Sequence, residues 1–111
     1  MKVSPLVAAA AAVFAFSLPA TAAVDAEAAV KLTKESGCTK CHAVDKAKKG
    51  PAYQKTAAKF KGKPEGEAKL IELLTKSPKV KMDDGTEEEH KPVNTKDPAQ
   101  VKNLAQWILA Q

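Results

Sequence analysis

Apolar residues recur at helical spacing in four stretches of the chain. Between Asp25 and Ser36 they are Ala26, Ala29, Val30 and Thr33, with Asp25 and Glu27 favouring the helix start. Tyr53, Ala57 and Phe60 then fall at i, i+4 and i+7, a stripe that ends before Gly62. Gly50-Pro51 reads as the preceding turn, with Pro51 suited to the first helical position. A third helix is predicted from Pro64 or Glu65 to about Lys76, presenting Leu70, Ile71, Leu73 and Leu74, and Pro78 forces its end. Asp97 caps the last helix and Pro98 opens it, with Val101, Leu104, Ala105 and Ile108 as its buried stripe and Trp107 at one edge. The rest is loop by this reading: lysine-rich from Ala43 to Lys49, and a 19-residue stretch from Ser77 to Thr95 with no sustained period. So long a connection usually carries function. No repeat and no convincingly alternating strand is visible, so the fold class expected is all-α, with about four helices.

The N-terminus reads differently. Lys2 supplies a short positive region, Leu6 to Leu18 is an alanine-rich apolar run, and Ala20-Thr21-Ala22 offers a small-residue cleavage site. The run is about 13 residues against the roughly 20 that span a bilayer. We therefore expect residues 1–23 to be a cleaved secretory signal peptide and residues 24–111 to form one domain, with no stable membrane insertion after cleavage.

Composition sharpens the picture. Beyond the apolar N-terminal run, Tyr53, Phe60 and Trp107 are the only aromatic residues, a thin stock for a domain of this length. A large apolar cofactor would supply the missing core. The formal charge is +5, and removing Lys2 with the leader leaves 17 − 13 = +4. All the positive residues are lysine, which disfavours a nucleic-acid partner, since phosphate and base readers are arginine-rich. Eight lysines crowd between Lys40 and Lys63, a distribution that would steer acidic partners or merely solvate a face.

Cys38-Thr39-Lys40-Cys41-His42 follows Gly37 and holds the chain's two cysteines. This run is the signature of covalent c-type haem attachment. On one helical turn both sulfurs reach the vinyl groups along one porphyrin edge, and His42 supplies the proximal nitrogen. A thioredoxin-like pair would want a preceding strand, and none is predicted. A zinc site would need two more ligands, with His90 alone remaining. A plain disulfide suits an exported chain but leaves His42 without a role.

Four helices around such a motif, with a long loop before the last, resemble the class I c-type cytochromes of the small bacterial monohaem kind. The resemblance spans residues 24–111 and includes Gly50-Pro51-Ala52-Tyr53 and Phe60-Lys61-Gly62-Lys63. It implies a cytochrome c fold around one haem c, with its iron, bound at Cys38, Cys41 and His42. It also implies a hydrogen bond from the His42 ring to the Pro51 carbonyl, and first and last helices crossing beside the haem with Trp107 near it.

The sixth ligand departs from the family pattern, in which a methionine followed by proline precedes the last helix. Met82 is followed by Asp83 and lies 25 residues before Trp107, whereas His90 lies 17 before it, near the family spacing, with Pro92 close behind. His90 is the expected distal ligand and Met82 the alternative. The function implied is a periplasmic electron carrier between larger redox proteins with acidic docking surfaces, and not an enzyme. A gas-binding or sensor haem protein with a displaceable ligand, or a dedicated subunit of an oxidoreductase, are the competing readings.

Overall fold

Residues 9–15 and 23–111 are described by the structure, a computed structural model. Most of the expected signal peptide, including its cleavage site, lies outside them. Among the described residues the order is α1 (Ala26–Glu35), α2 (Tyr53–Phe60), α3 (Gly66–Thr75), β1 (Lys79–Lys81), β2 (Glu87–Glu89) and α4 (Pro98–Leu109). A single 3-10 turn, Cys38–Lys40, stands between α1 and α2. No described helix is long and apolar enough to cross a membrane.

The core is assembled on α4, against which α1, α2 and α3 all pack. Its start is fixed locally: the Asp97 carboxylate accepts from the Ala99 N–H at 3.0 Å, and Pro98 occupies the first turn. Val101, Leu104, Ala105, Trp107 and Ile108 are then turned inward, and Leu104 has no exposed surface. Burying one such leucine contributes about 1.5–3 kcal/mol.

The first helix crosses α4 and is tied to it. Asp25 caps α1 by accepting from the Ala28 N–H, and its own backbone is clasped by Asn103 of α4. Asn103 Oδ1 accepts from the Asp25 N–H and Asn103 Nδ2 donates to the Asp25 carbonyl, both at 2.9 Å. The face α1 buries is Ala29, Leu32 and Thr33, so the expected stripe is corrected in two places. Ala26 is exposed and Leu32 takes a core position, because the stripe facing α4 passes through positions 29, 32 and 33.

Pro51 does not open α2. The helix starts at Tyr53 after an extended Ala52. The backbone just before it is committed elsewhere: the Gly50 N–H donates to the Cys41 carbonyl and the Tyr53 N–H to the Ala43 carbonyl. Likewise α3 starts at Gly66, just after the expected Pro64 or Glu65, and Ile71 and Leu73 are half-buried while Leu70 and Leu74 are buried.

The largest correction concerns the segment read as structureless. It contains an antiparallel hairpin with Lys79 opposite Glu89, Val80 opposite Glu88 and Lys81 opposite Glu87. Opposite charges across a pair each favour it by about 0.2–1 kcal/mol. Ser77, at φ 49, and Pro78 turn the chain out of α3 into β1. The tip is closed by Gly85, at φ 85, and by two Met82–Thr86 and Met82–Gly85 backbone bonds. Each strand has three residues, and Val80 is the one apolar side chain among the six, too few to show an alternation.

Candidate functional site

Between α2, α3, α4 and the hairpin lies a cavity of about 620 Å³. Its walls are apolar where the helices meet, with Phe60, Leu70, Leu73, Leu104 and Ile108 contributing, and Val80 closing the hairpin side. Cys38, Cys41, His42, Met82 and His90 all line it.

Each of these side chains has a local reason for its position. Gly37 ends α1 in the left-handed region, at φ 72, which an L side chain rarely adopts, and this reversal aims the Cys38–Lys40 turn at the cavity. The Cys41 and His42 N–H groups both donate to the Cys38 carbonyl, folding the motif into one tight turn. Neither cysteine is in a disulfide. Burial pushes the Cys38 thiol above its usual range. The two thiols stand free and unlinked in this structure. Nor does any group of three or more metal-ligating side chains converge among the described residues, as a zinc site would require.

His42 is held at three points. Its Nδ1 lies 2.7 Å from the Pro51 carbonyl oxygen. A carbonyl can only accept, so Nδ1 carries the proton and the lone pair of the neutral ring is on Nε2. Gly50 lies against the ring so closely that a Cβ there would stand 2.8 Å from Nδ1 and 2.9 Å from Nε2. Tyr53 stacks on it with centroids 5.3 Å apart and planes inclined by 21°. Tyr53 in turn meets Trp107 edge-on, at 5.5 Å and 72°. Trp107 does not itself wall the cavity; it backs the residue that does.

His90 enters from the opposite side. It follows β2, and its N–H donates to the Pro78 carbonyl at 2.8 Å, pinning it at the base of the hairpin. Three residues on, the Val93 N–H donates to the Leu74 carbonyl, and Asn94 is tied to the buried Ser36 hydroxyl. The His90 ring is half-buried, and burial first, then the neighbouring His42, lower its pKa. It is thus kept neutral, the form that donates to a metal. Its Nδ1 is buried without a hydrogen-bond partner. The two imidazole centroids stand 6.2 Å apart. Met82 sits at the hairpin tip and borders the same cavity.

Sequence reasoning placed the motif, both candidate ligands and Pro51 together. It missed why position 50 is glycine, and it treated Tyr53 as a stripe residue. The Gly-Pro-Ala-Tyr run beside a ring that must turn inward was the available signal for both.

The family described as cytochrome c matches residues 26–111. The chain is 33% identical over 85 residues to cytochrome c-551 of Pseudomonas aeruginosa, covering 72% of this chain and 73% of that one. It is 31% identical over 83 residues to cytochrome c-551 of Azotobacter vinelandii, covering 75% and 96%. Among solved structures, the class 1 cytochrome MtoD from Sideroxydans lithotrophicus ES-1 superposes with a TM-score of 0.76 at 53% identity, covering 79% of this chain and 97% of that one. Wild-type Nitrosomonas europaea cytochrome c552 gives 0.58 at 28%, covering 73% and 96%. The chain belongs to the cytochrome c family. Within it the relatives are small class I cytochromes of the c-551 kind: electron carriers built around one covalently attached haem c and its iron.

Proposed function

We propose that this chain is an exported monohaem electron carrier whose haem is held by thioether bonds from Cys38 and Cys41 and ligated by His42 and His90. Residues 1–23 are a cleaved leader in this reading, and the carrier works in the periplasm. The observation that carries the ligand set is the separation of the two imidazoles. A metal stands about 2 Å from an imidazole nitrogen, and the ring centre lies roughly 1 Å behind that atom, so two rings facing one ion have centroids about 6 Å apart. The separation in this chain is 6.2 Å. The unpartnered Nδ1 of His90 supports the same reading, since a buried polar atom left unpaired costs about 1–3 kcal/mol.

The bound haem supplies a one-electron couple. The protein's contribution is to bind, orient and exclude water. The Pro51 carbonyl fixes the His42 tautomer and strengthens the ring as a donor. The leucines of α3 and α4 keep water from the buried side, and Trp107 supports the site through Tyr53. Lys40, Lys49, Lys55 and Lys59 border the cavity and are exposed, which suits docking of a redox partner with an acidic surface.

Optical spectra of the oxidised and reduced protein test the ligand set. His90→Ala should open the reduced iron to carbon monoxide, and Met82→Leu should leave the spectrum nearly unchanged. The charge-transfer band of sulfur-ligated ferric haem should be absent. If Met82→Leu opens the iron and His90→Ala does not, Met82 is the ligand. Carbon monoxide binding by the unaltered protein would instead favour a gas-binding role.

A further inference from the structure

We propose that Tyr53 is the positioning residue that sets the rotation of the His42 ring, and with it the direction in which the imidazole plane meets the iron. The inference rests on His42 being an iron ligand. A histidine side chain has two torsions. The bond from Nδ1 to the Pro51 carbonyl fixes one ring atom but leaves the plane able to swing about that contact. Gly50 bars the ring from one approach, because its Cα lies directly against it. What defines the plane itself is the flat neighbour stacked on it, Tyr53, inclined by only 21°.

Tyr53 is fit for this because it cannot itself turn. It is 8% exposed and is the first residue of α2. Its N–H is tied to the carbonyl of Ala43, the residue next to His42. Trp107 meets it edge-on from α4, at 72°. Offset and edge-on aromatic contacts have preferred geometries, so the orientation of α4 is passed through Trp107 and Tyr53 to the imidazole. The other side of the cavity holds the His90 ring at 47° to His42. The plane of an axial imidazole selects which of two iron d orbitals it raises. Turning one ring therefore changes the magnetic anisotropy of the ferric protein even when both ligands stay bound.

The role belongs to the ring and not to the hydroxyl, which gives the test two arms. In the haem-loaded ferric protein, Tyr53→Phe should keep the g-values of the paramagnetic resonance spectrum and the order of the shifted haem-methyl signals. Tyr53→Leu should move the largest g-value and reorder the methyls while the absorption spectrum stays six-coordinate and low-spin. Should Tyr53→Leu fail to retain haem, Tyr53→Met, closer in volume, carries the same expectation. Wild-type g-values in the aliphatic variant, or a shift in Tyr53→Phe as large as the aliphatic one, would overturn the inference alone. A low-spin six-coordinate spectrum in His42→Ala would instead overturn the ligand assignment beneath it.

Discussion

The His42 ring rests on the backbone of Gly50, with no room between them for a methyl group. Gly50 is not in the left-handed region, so what the position demands is the missing Cβ and not an unusual backbone. Its N–H is also bonded to the Cys41 carbonyl, which stops the segment from backing away.

Gly50→Ala should therefore displace the ring and lengthen its bond to Pro51. Overpacking of this kind costs about 1–3 kcal/mol. Thermal unfolding of the haem-loaded protein should show the loss, and the ferric spectrum should show a weakened proximal bond. An alanine variant with unaltered stability and spectrum would mean the turn relaxes freely.

Asn103→Ala removes both hydrogen bonds that tie α4 to the start of α1. Two partly exposed bonds to backbone are worth about 1–2 kcal/mol together. Denaturant unfolding should show this loss with the absorption spectrum unchanged, because the clasp is remote from the cavity. A spectral change would show that the crossing of α1 and α4 also shapes the site.

Lys48 differs from its neighbours, since its ammonium donates to the Thr39 carbonyl at 2.7 Å. Lys49→Gln and Lys55→Gln should each slow electron transfer with an acidic partner roughly twofold at low salt. The variants and the wild type should converge at high salt, where exposed charges are screened. Lys102→Gln, on exposed α4 surface away from the cavity mouth, should have no effect. Equal effects at Lys102 and Lys49 would reduce the lysines to a general positive charge.

Asp84 holds the hairpin tip by accepting from the Thr86 hydroxyl at 2.6 Å and from the Thr86 N–H at 2.9 Å. These bonds lower its pKa below the ordinary 3.8. A depressed carboxylate contributes its stability above the unfolded pKa and loses it as pH falls through the folded one. The Thr86 amide resonance should hence follow a titration whose midpoint lies below 3.8. A midpoint at or above 3.8 would contradict the bonding.

The haem motif and the four helices were legible because each leaves a local mark: paired cysteines with a following histidine, and apolar residues at a helical period. The stripe of α4 was read residue by residue, since its pattern is strong and its cap is an Asp-Pro pair. The hairpin was not legible. Across Lys79–Lys81 and Glu87–Glu89, Val80 is the one apolar side chain, half-buried against the cavity, and a single inward residue sets no period. Gly50 and Tyr53 were visible as residue types, but their contacts with His42 depend on how α2 is docked, which is a tertiary fact. The bond between His90 and Pro78 is of the same sort: it spans the hairpin, and its meaning appears only once the strands are paired.

A hairpin fastened at its base is an arm whose reach is set separately from its root. His90 is bonded to Pro78 where the arm leaves the domain, while Met82 to Gly85 turn at the far end. Adding one residue to each strand would carry that turn about 3.4 Å outward and leave the base in place. Two such additions per strand would also return every side chain to its original face. The base would thus stay fixed under a change of arm length, while Met82 and Asp83, which the tip lends to the cavity rim, would be carried outward with it.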